Sequence, residues 1–300
     1  MNAAAITELR ASDGVALRCA LWKTDSPRAA LLLVHGVASH LDWYAPLAAE
    51  LSSRGICVAI ADRRGTGKSG GVRGDAPDAD ILLDDVRLAA EHLRAAVPGA
   101  PLHLAGVSLG ALLATAAVTR GVVSPASLLL ITPAFALAQP LNGWQRLQLR
   151  LLSTLWPRWT LKLPYDSKAV ARTGDWQAAL DADKLRLRTI TARLACVTMS
   201  LQAEVAADAH RAKVPLLMQL AGADRVVDNA AARAFFAVSP GSRLTEEYAD
   251  APHGLPLSLA RGRLEAAMAT WVLDGFTHAG RLEARVERDA TNLLRRPGRA

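Results

Sequence analysis

Ser108 stands at the centre of Gly106-Val107-Ser108-Leu109-Gly110, between an apolar run, Leu102-His103-Leu104-Ala105, and a small-residue helical run, Ala111-Leu112-Leu113-Ala114. G-x-S-x-G in that setting is the pattern of a tight strand-to-helix turn that exposes the serine Oγ, with glycines letting backbone and helix approach closely. A serine that merely caps the helix is the competing reading, and the flanking strand and helix favour the turn. A hydroxyl at its ordinary pKa is a poor nucleophile, so chemistry at Ser108 requires a histidine base and an acid that orients it.

The loop Tyr248-Ala249-Asp250-Ala251-Pro252-His253-Gly254 follows the last expected strand and precedes the final helix, which makes His253 the candidate base. Asp224, in Leu220-Ala221-Gly222-Ala223-Asp224-Arg225-Val226-Val227-Asp228, occupies another loop at the carboxyl end of a strand and is the candidate acid. The resulting chain order, Ser, Asp, His, is the one sheet enzymes of this kind use. Asp228 is the alternative acid, but it opens a helix and is a natural N-cap. His103 lies inside an apolar strand and reads as a satisfied structural histidine. His40, His92, His210 and His278 have no acid loop nearby.

An acyl-enzyme forms through an oxyanion, and each backbone N–H aimed at it lowers the barrier by roughly 3–4 kcal/mol. The N–H of Leu109, just after the nucleophile, is one expected donor. The second is that of Val37, because the apolar strand Leu32-Leu33-Val34 ends in His35-Gly36-Val37. None of this chemistry requires a metal or an organic cofactor. Gly65-Thr66-Gly67-Lys68-Ser69 imitates the end of a phosphate-binding loop, but position 62, where that motif needs glycine, is Asp62.

Short apolar runs alternating with helical patterns must position these loops, and that alternation predicts an α/β fold with a mostly parallel, doubly wound sheet. Strands are expected at 16–21, 29–34, 57–61, 102–107, 127–132, 215–220 and 243–248, and helices at 43–53, 81–97, 109–119, 229–238 and 256–273. Residues 1–134 and 214–278 would form the core, and 279–300 a basic tail. Residues 135–213 are too long for an ordinary connection; they show helical periodicity and no convincing strand, and read as an inserted helical lid.

Within the lid, Leu141, Trp144, Leu147, Leu151 and Leu155 recur at three- and four-residue steps as one apolar face. The insertion leaves the sheet near its carboxyl edge, where ligands bind in open α/β sheets. That face is therefore expected to roof the pocket and to meet an acyl chain, with Leu141, Trp144, Leu147 and Leu151 as substrate contacts.

The 300 residues, 51% of them hydrophobic, can bury one large core. Three widely spaced cysteines, Cys19, Cys57 and Cys196, cannot pair completely and show no metal-ligand spacing, and no signal peptide is evident, so a cytoplasmic setting is expected. Uncharged stretches at 98–119 and 121–145 are cut by prolines and glycines and read as strand plus helix or loop, not as membrane spans. The net charge of +7 comes mostly from arginine without aromatic-interleaved patches, which argues against nucleic-acid binding. Six arginines between Arg281 and Arg299 could give a weak peripheral contact with anionic lipid, although such runs are more commonly solvated tails.

The segments His35-Gly36-Val37-Ala38-Ser39-His40 with Trp43-Tyr44, Asp62-Arg63-Arg64-Gly65-Thr66-Gly67-Lys68-Ser69, and Gly106-Val107-Ser108-Leu109-Gly110 together resemble the monoacylglycerol lipase and lysophospholipase-like group of α/β hydrolases, which includes the S33-type serine aminopeptidases. Gly222-Ala223-Asp224-Arg225 and Pro252-His253-Gly254 fit the same pattern, and the resemblance runs over residues 15–273. It implies an α/β-hydrolase fold, a Ser108-His253-Asp224 triad, and oxyanion donors at Val37 and Leu109. The expected activity is hydrolysis of carboxylic esters, with monoacylglycerols or lysophospholipids as substrates. A small-ester hydrolase, thioesterase, acyltransferase or aminopeptidase would use the same triad. An aminopeptidase would need lid carboxylates to hold the substrate amine, for which Asp166, Asp175, Asp181 and Asp183 are the candidates. A non-catalytic binding module is the remaining alternative, and no triad residue has been lost to suggest it.

Overall fold

The computed structural model describes residues 4–275, so the basic tail expected at 279–300 lies outside the described residues. The chain opens with β1 (Ala5–Arg10), β2 (Ala16–Trp22) and β3 (Ala29–Val34), followed by α1 (Ala45–Ser53), β4 (Ile56–Ala61) and α2 (Ala79–Ala96). Next come β5 (Leu102–Val107), α3 (Leu109–Thr119) and β6 (Ser127–Ile131). The insertion contains α4 (Gly143–Leu155), β7 (Thr160–Lys162), α5 (Ser167–Val170), α6 (Gly174–Ala182), β8 (Thr189–Thr191) and α7 (Ala192–Ala207). The chain returns to the sheet as β9 (Leu216–Ala221), α8 (Asn229–Val238), β10 (Arg243–Tyr248) and α9 (Arg261–Asp274).

Eight strands form one sheet in the order β1-β2-β4-β3-β5-β6-β9-β10, parallel from β4 to β10, with β1 and β2 antiparallel at one edge. Every residue of β3, β5 and β6 is buried. Ala30, Leu32 and Val34 of β3 pack with α2, α3 and α7 on one face, while Ala29, Leu31 and Leu33 pack with α1 and α9 on the other. Helices cover both faces, which is why these strands read as unbroken apolar runs. The uncharged stretches at 98–119 and 121–145 resolve into β5 with α3 and into β6 with the start of the insertion, and no described helix is long and apolar enough to cross a membrane.

The structure departs from the expected elements in three places. β1 carries no sequence signal because its residues are mostly exposed, and it exists by pairing with β2. The insertion holds a two-stranded antiparallel sheet, β7 with β8, of three residues each, too short to register as periodicity. The helix expected at 256–273 is broken: Pro256 lies in a single 3₁₀ turn, Leu255–Leu257, Ser258 is extended, and α9 starts only at Arg261.

The last helix of the insertion, α7, buries Leu194, Leu201 and Val205 in the main core. Further polar ties fix the segment before it. The Asp75 carboxylate accepts from Thr191 Oγ1 at 2.7 Å and from the Arg193 guanidinium, and Arg73 donates to the Leu185 carbonyl at 2.7 Å. His103 is structural, as expected, but only half satisfied. Its Nδ1 lies 2.7 Å from the Ser127 hydroxyl, Nε2 has no partner among the described residues, and burial pushes its pKa down to about 4.

Candidate active site

β5 ends at Val107 and α3 begins at Leu109, so Ser108 alone makes the turn, at φ 55° and ψ −118°. A non-glycine residue there is strained by of order 1–3 kcal/mol, a cost found where surrounding structure enforces it. Here the Ser108 N–H donates to Ile131 O at 3.0 Å. A methyl group on Gly106 would collide with the backbone of Gly110 and Ala111, and one on Gly110 with the carbonyl of Val34, so both glycines are required by the close approach of helix and strand. Ser108 has 6% of its surface exposed.

β9 delivers Asp224 and β10 delivers His253 to the same edge. His253 Nδ1 lies 2.7 Å from Asp224 Oδ2. A carboxylate can only accept, so Nδ1 carries the hydrogen, and in the neutral ring the lone pair is on Nε2. The other Asp224 oxygen accepts from the N–H groups of Val226 at 2.8 Å and Val227 at 3.0 Å, which holds the fully buried carboxylate in place. Asp228 does what its position suggested: it caps α8 by accepting from Ala230 N–H at 2.8 Å.

Ser108 and His253 line one small cavity together with Val37, Tyr44 and Tyr165. Gly36 lies against the serine, a methyl group there falling 3.4 Å from Ser108 Cβ. The N–H of Val37 donates to no group among the described residues, and that of Leu109 is one of the first-turn donors a helix cannot satisfy itself. Val37 lines both cavities that Ser108 lines, and Leu109 lines one of them.

A second cavity of about 120 Å³ leads away from Ser108, Val37 and Leu109 beneath the insertion. Leu141, Leu149, Ile190, Met199 and Val226 line it, with Thr198 and Gln202 as polar groups. Of the four substrate contacts expected from the sequence, only Leu141 is here. Trp144, Leu147 and Leu151, with Leu155, face solvent at 47–65% exposure. α4 packs on α7 through its other side, where Leu149 is buried. The helix carries two apolar stripes about a third of a turn apart, and periodicity identifies the stripes without saying which faces inward.

Sequence reasoning also missed a polar cluster above the site. His40 Nε2 lies 2.8 Å from Asp183 Oδ2, and Trp43 Nε1 donates to the same oxygen at 2.6 Å. His40 therefore does have an acid partner, 143 residues away and so invisible to any local pattern. The other three candidate carboxylates of the insertion are also engaged or remote: Asp166 caps α5, Asp181 holds Ser167 and Arg186, and Asp175 is exposed on α6. None of the four lines either cavity at Ser108.

The family model described as serine aminopeptidase, S33 matches residues 25–257. Human monoglyceride lipase is 27% identical over 222 residues, 73% of each chain, and the rat enzyme is 25% identical over 276 residues, 90% of each. Among solved structures, the monoacylglycerol lipase of Paleococcus ferrophilus superposes with a TM-score of 0.79 at 23% identity, covering 86% of this chain and 98% of that one. A soluble variant of the Saccharomyces cerevisiae monoglyceride lipase in complex with a substrate analogue gives 0.82 at 18% identity, covering 92% and 97%.

Proposed function

The chain belongs to the serine aminopeptidase S33 family and is an ester-hydrolysing enzyme of the α/β-hydrolase fold, and we propose that it cleaves monoacyl lipid esters, such as monoacylglycerols or lysophospholipids, through Ser108, His253 and Asp224. Ser108 Oγ attacks the ester carbonyl while His253 Nε2 takes its proton, and Asp224 keeps the hydrogen on Nδ1. The N–H groups of Val37 and Leu109 hold the oxyanion. His253 then protonates the leaving alcohol, and water hydrolyses the acyl-enzyme.

The observation that carries the substrate class is the apolar cavity running from Ser108 under the insertion, with no carboxylate among its lining residues. Such a channel suits an acyl chain and offers nothing to pair with the free amine of an aminopeptidase substrate. The likeness to monoglyceride lipases supports the same reading. Each methylene buried there contributes about 0.8 kcal/mol, or roughly fourfold in kcat/KM, until the cavity is filled. A p-nitrophenyl ester series from two to sixteen carbons, sampled below micelle formation beside aminoacyl p-nitroanilides, is expected to peak at medium or long chains. Rates that are highest at acetate and fall steadily, or aminoacyl amides that outrun every ester, would overturn it.

The stripe formed by Trp144, Leu147, Leu151 and Leu155, continued by Trp156 and Trp159, is an exposed apolar surface of the kind that marks an interaction site. In an enzyme for lipid esters its partner is the lipid surface that holds the substrate. The double variant Trp144→Glu/Leu151→Glu alters only exposed positions. It should bind phosphatidylcholine vesicles at least about tenfold more weakly, given some 1.5–3 kcal/mol per large apolar side chain buried, and keep its rate on soluble butyrate esters. Equal vesicle binding by the variant and the parent protein excludes this contact.

A further inference from the structure

Two arginines stand side by side after β4, and the structure treats them differently. Arg64 is held by two carboxylates, donating to Asp85 at 2.7 Å and to Asp13 at 2.7 Å. Arg63, with 6% of its surface exposed, has a guanidinium that among the described residues donates only to backbone carbonyls. Its Nε reaches His35 O at 3.2 Å, and its Nη2 reaches Gly36 O at 2.9 Å and Val37 O at 3.2 Å. These are the three consecutive carbonyls of the loop that flanks Ser108. Burying a guanidinium with no carboxylate hydrogen-bonded to it is costly, and burial, only partly offset by the more distant Asp85 and Asp62 charges, lowers the Arg63 pKa to about 10, still charged at neutral pH.

The carbonyl of Gly36 and the N–H of Val37 belong to one peptide unit, which is trans, so the two groups point in opposite directions. Whatever fixes the carbonyl therefore fixes the N–H. Gly36 O accepts from Arg63 Nη2, from Ser39 Oγ at 3.2 Å and from His35 Nδ1 at 2.9 Å. The tautomer follows from the other ring nitrogen: His35 Nε2 accepts the Arg63 N–H at 3.0 Å, leaving Nδ1 as the donor. Burial and the neighbouring Arg63 charge hold the His35 pKa well below its usual value, which keeps the ring neutral. We propose that Arg63 is a positioning residue for the oxyanion site: by gripping Gly36 O it aims the Val37 N–H past Ser108, and its charge polarises that peptide so that the N–H becomes a stronger donor. Hydrogen bonds in series strengthen one another, and donors fixed before the reaction need no reorganisation as charge develops. Arg63 touches neither substrate nor nucleophile; it acts through one amide.

This rests on the reading of Ser108 as nucleophile and Val37 as oxyanion donor, and the test separates the two. A trifluoromethyl ketone carrying an octyl chain, ¹³C-labelled at its carbonyl, forms a hemiketal with an active serine, and the carbon shift reports the pKa of the bound oxyanion. Arg63→Met is expected to raise that pKa by at least about one unit relative to the parent enzyme and to lower kcat for a p-nitrophenyl ester about a hundredfold, with KM changed less than about threefold. Arg63→Lys, which keeps a cation but lacks the fork that spans three carbonyls, should fall between the two. A normal adduct whose oxyanion titrates identically in the parent and Arg63→Met, or a loss confined to KM, would falsify the positioning role. If Arg63→Met does not fold, Arg63→Lys is read alone, and an unchanged oxyanion pKa and kcat in that variant has the same meaning. Absence of any adduct in the parent enzyme removes the nucleophile assignment itself, and the inference with it.

Discussion

Replacing Ser108 with alanine will lower kcat on p-nitrophenyl esters by roughly four to six orders of magnitude and abolish labelling by a fluorophosphonate, while circular dichroism stays that of the parent protein. The magnitude follows from removing the nucleophile and leaving only binding and oxyanion stabilisation. The backbone gives this experiment a second arm. Ser108 sits at φ 55° and ψ −118°, and alanine is as strained there as serine. Glycine is not. Ser108→Gly should therefore be equally inactive yet more stable than the parent protein by about 1 kcal/mol, a gain visible as a higher Tm. Parent-like esterase activity in folded Ser108→Ala would dismiss the assignment. A Ser108→Gly protein less stable than Ser108→Ala would show that the turn is not strained as its torsions imply.

The second large effect is expected from Asp224→Asn. One oxygen of Asp224 must keep accepting from the N–H groups of Val226 and Val227, which have nothing to offer an NH₂ group. The asparagine oxygen will take that side, and its NH₂ will face His253. The imidazole can then meet it only with a lone pair on Nδ1, which moves the hydrogen to Nε2, the nitrogen that should receive the serine proton. A base presented as a donor is no base, and kcat should drop about 10⁴-fold with little change in KM or fold. Asp228→Asn is the control, because that side chain caps α8 and faces no histidine among the described residues. A drop of less than about tenfold in Asp224→Asn, or a larger drop in Asp228→Asn, would move the acid elsewhere.

The parts of this site that could be read from the sequence are those whose chemistry forces a local pattern. The turn at Ser108 needs glycines two residues away on either side, and the acid and base loops must each follow a strand, so Ser108, Asp224 and His253 announce themselves by position. The place of Val37 beside Ser108 was legible for the same reason, since His35-Gly36 ends an apolar run. The rest depends on contacts between distant residues. Arg63 meets Gly36 from 27 positions away and Trp43 meets Asp183 from 140, and a lone charged residue has no spacing to betray a partner. α4 shows a different limit. Its stronger stripe, 144-147-151-155, turns to solvent, and the weaker side around Leu149 closes over the cavity. Amphipathicity measures contrast between faces, whereas orientation is set by what α7 presents to it. Leu149, Ile190 and Met199 became lining residues of the cavity only once those surfaces met.

Strands buried on both faces create a difficulty of alignment. In a half-exposed strand a slip of one residue throws its apolar side chains into water, which pins the pairing. β3 is buried at all six positions, as are β5 and β9, so side-chain polarity barely distinguishes the native alignment from its neighbours. The distinguishing contacts lie just beyond the strand ends, where Arg63 N–H meets His35 Nε2, Ser108 N–H meets Ile131 O, and Ala223 N–H meets Ala251 O. Each of these falls in a loop that carries or adjoins a candidate site residue. The edge that holds the candidate site thus also acts as the key that sets the register of the sheet, and a change there will be felt as misalignment in strands that contain no candidate site residue.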